Sequence, residues 1–595
     1  MLTTDRRRMA TLLAVMVPMI LILIMGWQHR WIADDGFINF RYVDQIRHGN
    51  GPVFNAGERV EAFTSPAWLA LLLGLDLALP LRIEWIAVVS GLALTAAGFA
   101  FAGVGSARLW RRVLGEGPIF PAGLLVFAAL PPAWDFATSG LDTALSVAWL
   151  GASWWALCRR VFPDTDQHDT RSTTPWWSCV LIGLGPLVRP ELGLMTVAFL
   201  GVLLVAERSW RARGRVVVWA LALPAIYELF RMAYYAALVS NSALAKEAGA
   251  SEWSRGWNYF VDFVDPYYLW IPLAILLPLG FIPLFRWART PPSWLHVTLI
   301  AAPVAAGLAQ AGYVIRVGGD FMHARMLLPA LFSLLLPVGV VIVRSWRWVA
   351  ALLLVPWILI TAIAIRTGDS ELATAGEHNL AFMGIVNERD VYVRFSGQQH
   401  PVTIDDYLRA SPPLDWATVG RDARRRIAHG ERGLVLVITP DLLHPFNGGQ
   451  QPLPLNDQVE TPIVSVVGSL GFYGYAAGPH VSVIDSFGLS TALGSHFRRA
   501  HDPRRFGPIS ERAGHDKPHR TLWEVARFTP AAPGESRDLR DARHALTCGK
   551  VPELLKAVTE RFGPRRAAQN FWDSLTLTGF RLTEDPAAAV HQLCG

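Results

Sequence analysis

ADDGFINFRYVDQIRHGNGPVFNAGERVEAFTSP, residues 33–66, follows directly on the first long apolar run of the chain. It is dense in Arg, Glu, Asn and aromatic side chains and opens with the adjacent carboxylates Asp34 and Asp35. A polar segment set straight after a membrane-length run sits at a membrane face, where charge is costly unless partnered and ionisable residues carry a functional hypothesis. Which face that is depends on how the rest of the chain crosses the membrane.

The 595 residues are 52% hydrophobic and 17% charged, against roughly 25% charged in a soluble domain, and the mean hydropathy is +0.30. A spanning helix needs about 20 mainly apolar residues to cross roughly 30 Å of hydrocarbon. About eleven runs qualify: 9–27, 83–104, 119–136, 143–158, 176–188, 192–206, 216–238, 269–285, 295–314, 326–343 and 349–365. The first follows Arg6, Arg7 and Arg8 as a signal peptide would, but no small-residue cleavage site comes after it, so an uncleaved span is expected. Residues 67–79 are apolar but short and end at Pro80, which reads as a helix lying on the membrane surface.

With that parity, every compact Arg cluster beside a span falls on one side: Arg108, Arg111 and Arg112; Arg159 and Arg160; those between 208 and 215; Arg286 and Arg289; Arg344 and Arg347. By the positive-inside rule that side is the cytoplasm, and the N-terminus with it. Counting 67–79 as a span would turn most clusters outward. The loop over 28–82 and the tail over 366–595 are then both outside. The expected architecture is a polytopic α-helical transmembrane domain over 1–365 with a soluble extracytoplasmic α/β domain after it. Strand-like runs at 433–439, 462–468 and 480–484 alternate there with helical stretches at 422–427, 541–546 and 552–560.

The basic residues, Arg far more than Lys, lie beside apolar runs, so the formal charge of +6 implies the bilayer as partner and no nucleic acid. Cys548 and Cys594 of the tail meet an oxidising compartment, where a disulfide between them is expected; Cys158 and Cys179 fall at inner span ends and stay reduced. The cysteines have no metal-site spacing. No fixed-period repeat is present, which weighs against an inverted-repeat transporter.

Asp34 and Asp35 precede Phe37, Phe40, Val43 and Ile46 at helical spacing, so one reading makes either Asp the N-cap of a surface helix. Helix neighbours point about 100° apart and do not converge on one atom, so the functional reading divides the work. One carboxylate enters a cavity, with Asp34 favoured, and the other holds the backbone or an Arg. Arg41, Glu58, Arg59 and Glu61 are substrate-binding candidates in the same loop, or else form local ion pairs. RVGGDFMHAR, Arg316 to Arg325, sets two Arg, His323 and Asp320 about a Gly-Gly pair; Arg is suited to bidentate phosphate contact, while a turn pairing Arg316 with Asp320 is the bland alternative. Lys246, after Asn241 and Ser242, is a further phosphate candidate. Arg189 and Glu191 read as a structural ion pair about Pro190, and Asp142 in TSGLDTAL as a cap. In the tail, Trp416, Phe472, Tyr473, Tyr475 and Trp523 read mainly as core, and His400, Asp405, Asp406 and Asp485 are polar groups beside predicted elements.

DDGFINFRY, the following GPVFNAGERVEAFTSP, VRPE, NSALAK, GGDFMHARMLLPAL and, in the tail, EHNLAFMGIVNERDVYV and VIDSFGLS together resemble the AftB-type arabinofuranosyltransferases of actinobacteria, within the GT-C superfamily of polyprenyl-phosphate-dependent glycosyltransferases. The resemblance spans nearly the whole chain. It implies decaprenyl-phosphoryl-arabinofuranose as donor, the arabinan of arabinogalactan or lipoarabinomannan as acceptor, and a terminal β(1→2) linkage formed at the outer face of the bacterial inner membrane. It places an essential acid of the first outer loop at Asp34 or Asp35. Donor and product are both β, so the transfer is net retaining. No cofactor is demanded, and a divalent cation beside the donor phosphate is compatible with the chemistry. A mannosyltransferase of the same architecture and a lipid-linked-sugar transporter are the competing readings.

Overall fold

The computed structural model describes residues 2–163, 173–247, 249, 251–290, 293–344, 347–363, 385–411, 415–437, 452–498 and 520–595. The expected boundary at 366, the end of the strand-like run at 438–439 and residues 377–384 of the quoted tail motif lie outside the described residues.

Five helices among the described residues are long and apolar enough to cross a membrane: Thr11–Gln28, Ile83–Leu114, Trp210–Tyr235, Trp270–Ala288 and Trp294–Arg316. Shorter apolar helices run over Pro66–Ala78, Trp176–Val188, Pro190–Ala206, Leu328–Val338 and Arg347–Ile363. Large apolar side chains on these helices point away from the protein, with Leu13, Ile226 and Leu352 each at least 60% exposed. Apolar surface of that extent belongs in lipid rather than water. The protein is a multi-pass helical membrane protein.

The expected run at 119–136 is not one helix. It divides into Ala122–Ala128 and Pro131–Asp135, because Pro121 precedes the first piece and Pro131 and Pro132 open the second, and proline has no N–H to continue a ladder. Its leading residues Ile119 and Phe120 instead pair antiparallel with Ile342 and Val341. The run at 326–343 therefore also ends in strand, its helical part being Leu328–Val338. Thr143–Val161 packs along Ile83–Leu114 at backbone distance. A Cβ placed on Gly151 would stand 2.2 Å from the Gly98 carbonyl oxygen, the close approach that small residues permit between membrane helices.

In the tail, Gly433–Leu436, Ile463–Val467 and Val481–Asp485 form a parallel sheet in chain order, with Gly433 opposite Ile463 and Val467 opposite Asp485. The last two strands are buried along their whole length, as parallel strands covered on both faces are. One face carries Val464, Val466 and Ile484 against Leu522 and Trp523. From the other, Ile463, Val467, Phe472 and Tyr473 join the same continuous apolar cluster as Phe40 and Trp68 of the first loop. Cys548 and Cys594 are joined by a disulfide, their Cα atoms 5.2 Å apart.

The Asp34–Arg47 helix is thus no surface helix. Besides Phe37, Phe40 and Val43, its polar residues Asn39, Arg41, Tyr42 and Gln45 are buried. The Phe37 ring alone meets those of Phe40, Tyr407, Phe472 and Tyr475. The sequence pattern marks the apolar stripe; Arg41 and Gln45 are buried because the tail lies on them, and Tyr42 because the first loop folds back to it.

Candidate active site

The N-cap of this helix is Ala33, and no side chain caps it, so neither Asp34 nor Asp35 plays the local capping role. Both lie in the first turn, where the 100° between neighbours sends them to different surroundings. Asp34 turns to the tail. Its carboxylate accepts from Ser469 Oγ at 2.7 Å, Gly471 N at 3.1 Å and Phe472 N at 2.7 Å. It therefore caps the Gly471–Ala477 helix, more than 430 residues away in sequence. The approach is so close that a Cβ on Gly471 would fall 1.8 Å from the Asp34 carbonyl oxygen.

Asp35 turns the other way, into a cavity of about 150 Å³. The cavity is walled by Ser65 and Trp68, by Leu141 and Asp142, by Arg189 and Glu191, by Ser240, Ser242 and Lys246, and by Asp320 and Arg325. Arg325 stands among its carboxylates, 3.5 Å from Asp35, 3.5 Å from Asp320 and 3.8 Å from Asp142. Arg189 closes the chain with Asp142 at 3.1 Å and Glu191 at 2.5 Å. A second hollow of about 960 Å³ shares Pro190, Ser240, Ala243 and Tyr313 with the first and is bounded by Arg498, Thr578 and Arg581 of the tail.

The structure gathers Asp35, Asp320, Arg325 and Lys246 of the predicted set and leaves the others apart. Arg316 ends its helix and donates from Nε to Ser251 Oγ at 3.2 Å, so it neither lines the cavity nor pairs with Asp320. Gly318 and Gly319 adopt φ of +86° and +70°. Their N–H groups bond Ile315 O and Val314 O, closing the helix end as left-handed glycines do, and are not offered to a ligand. His323 lies outside the cavity wall, between Asp262 at 2.6 Å and Tyr267 Oη at 3.0 Å.

The remaining loop candidates are structural. Glu58 holds Arg527 at 2.9 Å and the Ala492 N–H at 2.8 Å. Arg59 donates to the carbonyls of Tyr234, Glu560 and Ala557. Glu61 takes Tyr227 Oη and Arg231 Nε, each at 2.6 Å. Arg41 donates to the carbonyls of Phe54, Gly474, Gly478 and Val481. Loops fold back against other elements when their polar groups find buried partners, and nothing in a single sequence names partners hundreds of residues away. In the tail, Trp523, Phe472 and Tyr473 are core, Asp406 belongs to a capping box with Thr403, Asp405 pairs with Arg82 and Arg421, and Asp485 binds the Leu489 and Ser490 N–H groups.

Sequence reasoning undervalued Asp142, which stands at the N-cap of Thr143–Val161 but makes no cap bond and faces the cavity instead. It also passed over Asn39, although Asn39 lies one turn after Asp35, at the i,i+4 spacing that shares a helix face. Among the described residues the one tight cluster of metal-ligating types is His544, Cys548 and Cys594, whose sulfurs are spent in the disulfide. In the cavity, the carboxylates of Asp35, Asp142 and Asp320 lie about the Arg325 guanidinium.

Two named proteins align with nearly the whole chain. One from Mycobacterium tuberculosis is 35% identical, covering 94% of each chain, and is named a terminal β-(1→2)-arabinofuranosyltransferase. One from Corynebacterium glutamicum with the same name is 34% identical over 95% of this chain and 85% of its own. The chain belongs to the terminal β-(1→2)-arabinofuranosyltransferases. No family model matches it, and no solved structure does.

Within this arabinofuranosyltransferase framework the Asp34 contact has a pH signature. Burial pushes the Asp34 carboxyl up to about 6, opposed by the Phe472 N–H and the Ser469 hydroxyl and assisted by the neighbouring Asp35 charge. The folded state then binds the proton more tightly than the unfolded chain. This contribution is fully present below about pH 4 and is lost as pH rises through about 6, to the extent of about 2–3 kcal/mol. Thermal unfolding of the wild type should decline across that window more steeply than that of Asp34→Asn, which has no such proton; parallel curves would exclude this role.

Proposed function

We propose that this chain transfers an arabinofuranosyl residue from decaprenyl-phosphoryl-arabinofuranose to the ends of cell-wall arabinan, forming terminal β(1→2) linkages, with Asp35 as the catalytic carboxylate. Family membership supports the reaction. The observation that carries the site is Asp35 beside Arg325 in the wall of one cavity. The Arg325–carboxylate distances of 3.5–3.8 Å exceed the roughly 2.7–2.9 Å of a committed charge-assisted bond, so a donor phosphate would compete with these carboxylates for the guanidinium, with Lys246 on the same wall. Asp35 then lies on the side from which the phosphate departs. An acceptor hydroxyl arriving there gives up its proton to Asp35 or to the leaving phosphate and attacks the face just vacated, consistent with net retention. The larger hollow beside the cavity suits the acceptor glycan.

In this reading the five long helices, the shorter apolar ones other than Pro66–Ala78, the Thr143–Val161 helix and the broken run at 119–136 make about eleven spans, the N-terminus is cytoplasmic, and residues 366–595 form a periplasmic domain on the bacterial inner membrane. The test is reconstitution in vesicles with a synthetic arabinan acceptor and either polyprenyl-phosphoryl-arabinofuranose or the mannose donor. Pentosyl transfer with a β(1→2) product is expected. Mannosyl transfer, or donor translocation without transfer, would overturn the proposal.

A further inference from the structure

Large apolar side chains exposed on the tail are confined, among the described residues, to Phe562, Trp572 and Leu575. All three belong to the Pro564–Leu577 helix or to the turn leading into it. Trp572 and Leu575 are 67% and 52% exposed, and exposed Ala568 shares their face at helical spacing. The opposite face is buried and mainly polar, carrying Arg566, Asn570 and Ser574. Asn570 donates to the Ala557 carbonyl at 3.0 Å, Ser574 Oγ to the Phe571 carbonyl at 2.7 Å, and Arg566 pairs with Glu560. A helix that borders water turns its apolar stripe inward and its polar residues out. Here the order is reversed, which calls for an apolar medium outside this face.

Its position says which medium. The helix packs against Trp210–Tyr235, which is long and apolar enough to cross a membrane and exposes Ile226, Leu229 and Phe230. The 26 residues of that helix, at about 1.5 Å each, rise about 39 Å, beyond the roughly 30 Å of hydrocarbon. With Arg211 and Arg215 at one headgroup layer, its last turn reaches the other. There Phe230 stacks on Tyr234 at 5.2 Å and Tyr234 meets Phe562 edge-on at 4.9 Å, so the exposed apolar surface of the span continues onto the tail. Past the other end of the tail helix, Leu238 N donates to Thr578 Oγ1 at 2.9 Å. Both ends are thus held at the depth where Trp and Tyr gather in membrane proteins.

We propose that Pro564–Leu577 is an interfacial helix. Phe562, Trp572 and Leu575 insert into the boundary between headgroups and acyl chains, the exposed Arg561 and Arg565 meet lipid phosphates, and the bilayer itself holds this edge of the tail. Thr578 and Arg581, which follow the helix, wall the larger hollow, so the attachment fixes how far that wall stands from the lipid surface.

The test uses Trp572→Cys and Leu575→Cys, each labelled with bimane in the full-length protein and reconstituted in phosphatidylcholine–phosphatidylglycerol vesicles free of glycan. Arg540→Cys, at an exposed position of the Arg537–Ala545 helix, is the reference. Native cysteines do not compete for the label, since Cys158 and Cys179 are buried and Cys548 and Cys594 are joined. An interfacial helix sinks its apolar face about 5–10 Å, so lipids brominated just below the headgroup should remove at least about half of the emission at 572 and 575 and leave that at 540 unchanged. Emission at 572 and 575 that brominated lipid does not reduce would overturn the proposal. So would quenching there by aqueous iodide as strong as at 540. A label shielded from iodide yet untouched by brominated lipid would mark a second copy of the chain on this face, and overturns it as well.

Discussion

Asp35→Asn is expected to lower arabinofuranosyl transfer by about 10² to 10⁴-fold, the usual worth of a positioned general base, while the protein folds and still binds donor. The substitution keeps the shape of the side chain and removes its charge. Arg325 retains Asp320 and Asp142 as neighbours, so the cavity wall has no reason to rearrange. The loss should therefore appear in kcat, with KM for the donor little changed, since an interaction made only in the transition state lowers kcat and kcat/KM together. Asp34→Asn should behave differently. Its side chain faces Ser469 and the Gly471 and Phe472 N–H groups, so it affects how the tail docks and how stability varies with pH. Steady-state kinetics of both variants on a synthetic arabinan acceptor decide the matter. Full activity in Asp35→Asn, with loss confined to Asp34→Asn, would exchange the two roles.

The largest structural effect is expected from Arg41→Ala. This guanidinium is 1% exposed and donates to the carbonyls of Phe54 at 2.8 Å, Gly478 at 2.9 Å, Val481 at 2.6 Å and Gly474. It lies over the Phe54 ring at 4.7 Å. Burial pushes its pKa down to about 10, which still leaves it charged at neutral pH. Removing it orphans several buried acceptors at about 1–3 kcal/mol each, so a loss above about 3 kcal/mol is expected. Arg41→Lys should recover little, because an ammonium lacks the planar fork that reaches divergent carbonyls. The Asp34–Arg47 helix thus grips the Gly471–Ala477 helix at both ends. A carboxylate meets its N–H groups and a guanidinium its carbonyls, each the charge that the helix dipole favours. Limited proteolysis and thermal unfolding in detergent should show the tail released in Arg41→Ala. An unaltered digestion pattern would show that the apolar contacts of Phe37 and Phe472 suffice.

Much of this was legible in the chain itself. A run of apolar residues states its own length, and the Thr11–Gln28, Ile83–Leu114 and Trp294–Arg316 helices appear where composition places them. The prolines at 121, 131 and 132 were visible too, although their consequence, a broken segment whose strand pairs with Val341–Ile342, depends on a partner more than 200 residues away. The tail strands Ile463–Val467 and Val481–Asp485 are short apolar runs between turns and were read as such. Buried ion pairs were not legible. Glu58, Arg59 and Glu61 have the composition of a ligand-binding loop, and only the folded chain supplies Arg527, the Glu560 carbonyl and Arg231 as their partners.

The residues 33–66 by themselves determined that a helix begins at two adjacent carboxylates beside a membrane span and that the two point apart, because helical geometry is local. Tertiary structure alone decided which carboxylate faces which way. Asp34 is taken up by backbone N–H groups of the tail, whereas Asp35 looks across a hollow at an arginine from a distant loop. These surroundings are why Asp35 is proposed for the chemistry, where the sequence by itself favours Asp34. Side-chain direction follows from the helix, but what stands in that direction comes from long-range packing, to which periodicity and spacing are blind.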